Sequence, residues 1–193
     1  MNTLFFEYVY NLYKGVPLWL YEGLFLMFFF GTMLMLAFCG LKKGGRYSLL
    51  LLLVEYVFLI VSSTVLLRMS NENQGCNFRP FWSYAAIQKG YVELIPENMM
   101  NVVVFVPVGV LLSFVFNGIR RMIIKKWLLI LLIGMGISVS IEAMQLFLNR
   151  GVSEVDDVMH NTVGCMIGYG IFLMARGAWQ RTIEKNWGHK DDV

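Results

Sequence analysis

The sequence predicts an all-α polytopic membrane protein with about five membrane-spanning helices. Hydrophobic residues make up 58% of its 193 residues and charged residues only 15%, whereas a soluble domain typically carries about 25% charged residues. The mean hydropathy is +0.61, and the charges cluster between long apolar runs. Water does not solvate this much apolar surface, so lipid must cover much of it.

The apolar runs have the length of membrane spans. Each contains about 18–25 residues, enough for a helix rising about 1.5 Å per residue to cross a hydrocarbon core of about 30 Å. We expect a single domain over 1–193, with a polar outer loop between the second and third spans. The predicted segments are spans 17–41, 47–67, 98–117, 127–148 and 158–175, and the loop 68–97.

The third predicted span contains a proline. Pro107 lies near its middle and Gly109 follows two residues later. Proline has no N–H and its ring clashes with the preceding turn, so we expect a kink in this helix. Neighbouring helices are expected to satisfy the carbonyl that the proline leaves without a donor.

The distribution of Lys and Arg predicts the orientation. The segments 42–46, 120–126 and 176–190 together carry eleven basic residues, and the segments on the opposite side carry five. Because the side richer in Lys and Arg is usually cytoplasmic, we expect the N-terminus outside and the C-terminus in the cytoplasm. The net charge of +3 therefore indicates membrane orientation, and no nucleic-acid partner is predicted.

Polar residues recur at helical spacing on three of the predicted spans, although polar groups are costly inside a bilayer. Steps of three and four residues place them on one face of each helix. Under the predicted orientation, all three faces reach the outer rim of the bundle. They comprise Asn98 and Asn101 on the third span, Ser138, Glu142, Gln145 and Asn149 on the fourth, and Asp157, Asn161, Gly164 and Gly168 on the fifth.

These faces predict a ligand-binding pocket at the outer rim, between the third, fourth and fifth spans. Glu142 is its deepest carboxylate. Arg150, in the following loop, is the expected counter-ion, because an unpaired buried carboxylate tends to take up a proton. The expected ligand-binding residues are Asn101, Glu142, Gln145, Arg150, Asp157 and Asn161.

Each of these residues also has a structural interpretation. Ser153 and Asp156 fit a capping box, and Asp157 lies where a helix N-terminus favours negative charge. Asn98 and Asn101 are alternatively caps or partners of a neighbouring helix. Glycines four residues apart are typical of close helix packing. Taken as a set, the residues favour the pocket.

Metal binding is a further alternative for the acidic residues. Glu142, Asp156, Asp157 and His160 would suit a hard cation better than zinc, because most of their ligand atoms are oxygens. Acidic residues at the start of a helix are more often caps. The sequence therefore predicts no metal and no cofactor. Walker A, GxSxG and HExxH motifs are also missing from the sequence, which argues against three common enzyme classes.

The outer loop carries a cluster of aromatic and polar residues. Its members Asn77, Arg79, Phe81 and Trp82 are expected to contact lipid headgroups or a sugar-bearing ligand. An ordinary aromatic belt at the membrane interface explains the same residues equally well.

Three blocks of sequence form a recognisable pattern over roughly 68–170. The blocks are Asn77-Phe78-Arg79-Pro80-Phe81, Asn101 with Phe105-Val106-Pro107-Val108-Gly109, and Ser140-Ile141-Glu142 with Gln145, Arg150, Asp156-Asp157, Asn161-Thr162-Val163-Gly164 and Gly168-Tyr169. By their order and spacing they resemble the VanZ-like family of bacterial membrane proteins, which is named for a teicoplanin-resistance protein. Arg79 stands where the family more often has an apolar residue, and His160 lies in a stretch that is usually apolar, so no role is carried onto His160.

The resemblance implies a multi-pass protein of the bacterial plasma membrane that acts in the cell envelope. We expect it to bind membrane lipids and an amphiphile, either a lipid-linked envelope precursor or a lipoglycopeptide such as teicoplanin. Such binding would contribute to glycopeptide resistance or envelope homeostasis. The alternatives are an intramembrane enzyme with Glu142 or Asp157 as acid or base, and a structural partner of another membrane protein. Binding ranks above enzyme because no nucleophile is recognisable.

Overall fold

A computed structural model describes most of the chain. The predicted first span, 17–41, lies outside the described residues except for three positions, and the predicted total of five spans therefore stays a prediction. The described residues are 45–66, 75–117 and 123–187, together with Gly23, Met27 and Phe30.

Four long helices dominate the described part of the chain. A π-helical turn, Ser62–Leu66, continues the first of them, and two three-residue strands lie between the helices. In chain order, the elements are α1 (Gly45–Val61), β1 (Gly75–Asn77), α2 (Trp82–Gln88), α3 (Leu94–Val115), α4 (Ile123–Phe147), β2 (Val152–Glu154) and α5 (Val155–Trp187).

Four of these helical segments are long and apolar enough to span a membrane, as the sequence predicted for this part of the chain. They are Tyr47–Val65, Leu94–Val115, Lys126–Phe147 and Val155–Thr182. The protein is therefore a helical membrane protein. The predicted outer loop is more ordered than expected, because β1, α2 and the first turn of α3 all lie within it.

The helix limits differ from the prediction at two places. Helix α3 begins at Leu94, before the predicted start at 98. The predicted start is late because hydropathy favours ending a span at a charged residue, and Glu97 lies in the first turn of this helix. Helix α5 continues to Trp187, beyond the predicted end at 175. Its last turns contain Arg, Gln, Glu and Lys, which lower the hydropathy but favour helix.

Helices α3 and α5 form the most extensive contact in the bundle. Their backbones touch at glycines: a Cβ added at Gly164 would overlap the carbonyl oxygen of Val102, and one added at Gly168 would overlap that of Val106. A Cβ at Gly109 of α3 would overlap the carbonyl oxygen of Cys165. The pattern is the small-residue packing that allows close approach of helices in a membrane.

Strands β1 and β2 pair in parallel, with Cys76 opposite Ser153. This pairing brings the segment before α2 to the segment before α5, and we call this end of the bundle the strand end. The opposite end, where Asn117, Lys126 and Arg176 lie, is called the basic end. The predicted orientation, with the strand end outside, stays a prediction.

Helix α3 continues through Pro107. The proline has no N–H to donate to the carbonyl of Val103. Helix α1 contacts this region, since the hydroxyl of Tyr56 donates to the carbonyl of Val104 at 2.9 Å. The predicted kink stays a prediction.

Candidate functional site

A polar cavity of about 120 Å³ lies near the strand end, between the π-helical turn and helices α3, α4 and α5. Five of the six residues that the sequence proposed for ligand binding line it, and Arg150 does not. The five are Asn101, Glu142, Gln145, Asp157 and Asn161. Their role in binding a ligand stays a prediction.

Two hydrogen bonds join the polar faces of the helices. The amide of Asn101 on α3 donates to Asp157 Oδ1 at 2.7 Å, and the amide of Asn161 on α5 donates to Ser138 Oγ on α4 at 2.8 Å. Three helices separated in sequence therefore present their polar faces to one another, as their spacing predicted. Hydrogen bonds of this kind reduce the cost of polar groups within the bilayer.

Glu142 links α4 to the strand end. Its side chain is only 5% exposed, and its Oε2 accepts a hydrogen bond from the backbone N–H of Glu154 at 2.8 Å. Glu142 thus supports β2 while it lines the polar cavity.

Gln145 has a buried acceptor with no partner among the described residues. The side chain is 5% exposed, and its Nε2 donates to the carbonyl of Thr64 at 3.4 Å. Its Oε1 is buried and accepts no hydrogen bond from any residue that the structure describes. Leaving a buried acceptor unsatisfied costs about 1–3 kcal/mol. A ligand that supplies a donor would remove this cost.

The sequence analysis missed three polar residues of the cavity: Glu97, Ser63 and Thr64. Glu97 was assigned to the loop because the predicted third span began one residue too late to include it. Ser63 and Thr64 lie in the π-helical turn, where both hydroxyls donate to the carbonyl of Ile60. Such turns often occur at functional sites, but hydropathy does not distinguish them from ordinary helix.

Arg150 follows the end of α4. Asn149 adopts a left-handed conformation with φ 56°, its N–H donates to the carbonyl of Leu146, and the N–H of Arg150 donates to that of Gln145 at 2.9 Å. This is a Schellman motif. Asn149 therefore closes the helix, whereas the sequence placed it on the polar face. The predicted ion pair between Arg150 and Glu142 stays a prediction.

Asp156 attaches the segment before α2 to the start of α5. Its side chain is 1% exposed. Oδ1 accepts from the backbone N–H of Phe81 at 2.6 Å, and Oδ2 accepts from the backbone N–H and the hydroxyl of Ser83 at 2.9 and 2.7 Å. Asp156 thus caps α2, whereas the sequence assigned it to a capping box with Ser153.

The predicted outer-loop cluster has structural contacts at the strand end. Trp82 Nε1 donates to Glu154 Oε2 at 2.8 Å, Asn77 Oδ1 accepts from the backbone N–H of Arg79 at 3.3 Å, and Phe81 has a left-handed backbone with φ 63°. Asn77, Arg79, Phe81 and Trp82 do not line the polar cavity. Their contact with a ligand stays a prediction.

His160 faces a different part of the bundle. Its Nε2 lies 2.8 Å from the hydroxyl of Tyr84, and both residues line an apolar groove of about 350 Å³ beside α3. Asp156 and His160 are therefore engaged away from the polar cavity. Within the described ranges, no three His, Cys, Asp or Glu side chains are grouped so that they could hold a metal ion.

The chemistry of the cavity is dominated by hydrogen-bond acceptors. Three carboxylate residues line it, Glu97, Glu142 and Asp157, and none of its described lining residues is Lys or Arg. The side-chain oxygen Oε1 of Gln145 is a further acceptor in this lining. Apolar side chains complete the wall: Ile60, Met100, Val104, Phe105 and Ile141.

The helices and the cavity define a polytopic membrane protein with a polar chamber at one end of its bundle. The family model for VanZ/LLP1 matches residues 46–176, and the chain therefore belongs to the VanZ/LLP1 family. The resemblance seen in the sequence is thereby confirmed. Membership supports a VanZ-like envelope protein of a family linked to resistance. No curated protein and no solved structure matches the chain.

Proposed function

We propose that the protein binds an amphiphile of the cell envelope by inserting a hydrogen-bond-donating head group into the polar cavity. The observation that carries this proposal is the buried Oε1 of Gln145, which has no partner among the described residues and belongs to a residue of the cavity wall. A ligand hydroxyl or ammonium group would donate to it. The apolar wall would contact the beginning of the lipid chain.

The acceptor-rich lining favours some head groups over others. A phosphodiester offers acceptors only, so it has no donor for the Oε1 of Gln145. Sugar hydroxyls and protonated amines offer donors. Both occur in lipid-linked envelope precursors and in lipoglycopeptides such as teicoplanin, the two ligand classes that the family suggests. The plasma membrane is the proposed location.

The test is teicoplanin binding by the purified protein in lipid nanodiscs, with wild type compared to Gln145→Met. Methionine has a similar length but no acceptor. We expect the Kd to rise about fivefold to tenfold, because one hydrogen bond in a dry site contributes about 1–1.5 kcal/mol. The thermal midpoint should change little, because the variant removes an unsatisfied buried acceptor together with the long 3.4 Å hydrogen bond from Nε2 to the Thr64 carbonyl.

The matched control is Gln88→Met, which changes the same side chain at an exposed position of α2. It should leave the Kd unchanged. Equal affinity of Gln145→Met and wild type would show that the cavity is not the binding site. Chemical conversion of a lipid-linked precursor by the pure protein, lost in Glu142→Gln, would instead support the intramembrane enzyme.

A further inference from the structure

A second cavity lies at the basic end of the bundle, far from the polar cavity. It has a volume of about 320 Å³ and lies between the end of α3, the start of α4 and the second half of α5. We call it the basic groove. Its lining includes the polar residues Asn117, Lys126 and Arg176 and the apolar residues Ile130, Phe172 and Leu173.

Among the described residues, the charged side chains that line the basic groove have one sign. Lys126 and Arg176 are its charged lining residues, and no Asp or Glu is among the described residues that line it. Both cations approach Asn117: Lys126 Nζ donates to its carbonyl oxygen at 3.4 Å, and Arg176 Nη1 donates to its Oδ1 at 3.1 Å. The two positive charges are therefore directed to one place from two different helices.

Both cations have further donors to offer. An ammonium group carries three N–H donors and a guanidinium carries five. The hydrogen bonds to Asn117 use one donor of Lys126 and one donor of Arg176. An anion with several oxygens would accept from both groups. The planar guanidinium suits a phosphate, because two of its N–H groups can bind two phosphate oxygens.

The depth of the groove matches a phospholipid. The span in α4 begins at Lys126, and Arg176 donates to the same residue, Asn117, as Lys126 does, so both cations lie at the level where the α4 span begins. Phe172 lies one helical turn before Arg176, toward the middle of the bilayer, and Ile130 lies one turn after Lys126. A phosphate held by the cations would therefore place its acyl chain along these apolar side chains.

We propose that the basic groove is a binding site for an anionic phospholipid, which Lys126 and Arg176 hold by its phosphate. Basic pockets between transmembrane helices are a recurrent way of binding anionic headgroups. The site is separate from the polar cavity, since it has the opposite charge and lies at the other end of the bundle. The ligand would support the junction of α3, α4 and α5.

Native mass spectrometry of the detergent-purified protein tests the proposal. The probe is dioleoylphosphatidylglycerol, compared with dioleoylphosphatidylcholine at the same concentrations. We expect one phosphatidylglycerol molecule to bind with at least tenfold higher affinity. Lys126→Gln and Arg176→Gln should each weaken it by about threefold or more, and Lys126→Arg should retain it.

The control variant is Arg181→Gln, which removes an exposed positive charge from the same helix and the same end, outside the groove. It should leave phosphatidylglycerol binding unchanged. An equal loss in Arg181→Gln would show general attraction of anionic lipid and overturn the site. Equal retention of the two lipids would also overturn it.

Glycerol 1-phosphate distinguishes a lipid site from a phosphate site. This soluble headgroup should compete with phosphatidylglycerol poorly, because it lacks the chain that contacts Phe172 and Leu173. Full displacement at low millimolar concentration would assign the groove to a soluble phosphate compound and overturn the proposal. Gln145→Met should bind phosphatidylglycerol like wild type, so this test is independent of the polar cavity.

Discussion

Asp156 shows how a residue with a plausible functional pattern serves a structural purpose. Its carboxylate accepts hydrogen bonds from Phe81 and Ser83, more than seventy positions earlier in the chain. The sequence indicated a cap at this residue but assigned it to its own helix. Local sequence patterns contain no information about the distant backbone donors that the Asp156 carboxylate binds. Asp157, the next residue, faces the cavity instead. Adjacent acidic residues therefore have separate roles.

We expect Asp156→Asn to destabilise the protein by about 2 kcal/mol or more, because an amide cannot accept all three bonds and its NH₂ group would face backbone donors. The loss should be measurable as a lower thermal midpoint in detergent. Hydrogen exchange should accelerate over 81–88, where the cap is removed.

The control for Asp156 is Glu93→Gln, an exposed acidic residue before α3 that makes no side-chain cap. It should change neither the thermal midpoint nor the exchange rate of α2. Slower or unchanged exchange over 81–88 in Asp156→Asn would contradict the assignment of Asp156 as the cap of α2.

At the scale of the elements, hydropathy and spacing predicted most of what the structure contains. The last four predicted spans coincide with helices, and steps of three and four residues correctly placed Asn101, Ser138 and Asn161 on facing surfaces. The π-helical turn and α2 were not predictable in this way. A π turn has the same hydropathy as an α-helix, and α2 depends on the distant carboxylate of Asp156 for its N-terminal cap.

The pairing of α3 with α5 gives a prediction at the element scale. Gly168→Ala should strongly destabilise the protein, because its Cβ would overlap the carbonyl oxygen of Val106, and backbone atoms cannot move aside without separating the helices. We expect a loss of about 1–3 kcal/mol from this overpacking. Thermal unfolding in detergent measures it.

Gly170→Ala is a control on the same helix. Outside its own helix, a Cβ at Gly170 would meet no atom of the described residues within 4 Å, and alanine favours helix over glycine by about 1 kcal/mol. The control should therefore be neutral or stabilising. Equal effects of the two substitutions would mean that α3 and α5 do not pack through Gly168.

The whole molecule combines two chemically opposite cavities, each lined by helices α3, α4 and α5. The acceptor-rich cavity lies toward the start of α5 and the basic groove toward its second half, with the glycine contacts between them. The sequence indicated the first site through polar faces at helical spacing. It gave no comparable signal for the second, because Asn117, Lys126 and Arg176 are ordinary interfacial residues until the end of α3, the start of α4 and the second half of α5 bring them together.

The orientation of the molecule decides which leaflet each site faces. The excess of Lys and Arg predicts that the strand end is outside. Cys76 is exposed at that end, and Asn117 is exposed at the basic end. A membrane-impermeant maleimide should therefore label Cys76 in intact cells when Cys39 is replaced by Ser. Cys165 is buried and should not react in the folded protein.

The reciprocal variant completes the topology test. Asn117→Cys with Cys76→Ser and Cys39→Ser should be labelled only after the cells are permeabilised. If Asn117→Cys reacts in intact cells and Cys76 does not, the molecule is inverted. The polar cavity would then face the cytoplasm, where an external antibiotic does not reach it directly. Teicoplanin binding in nanodiscs would then have no bearing on protection of the cell surface, and the cavity would have to bind an amphiphile of the inner leaflet.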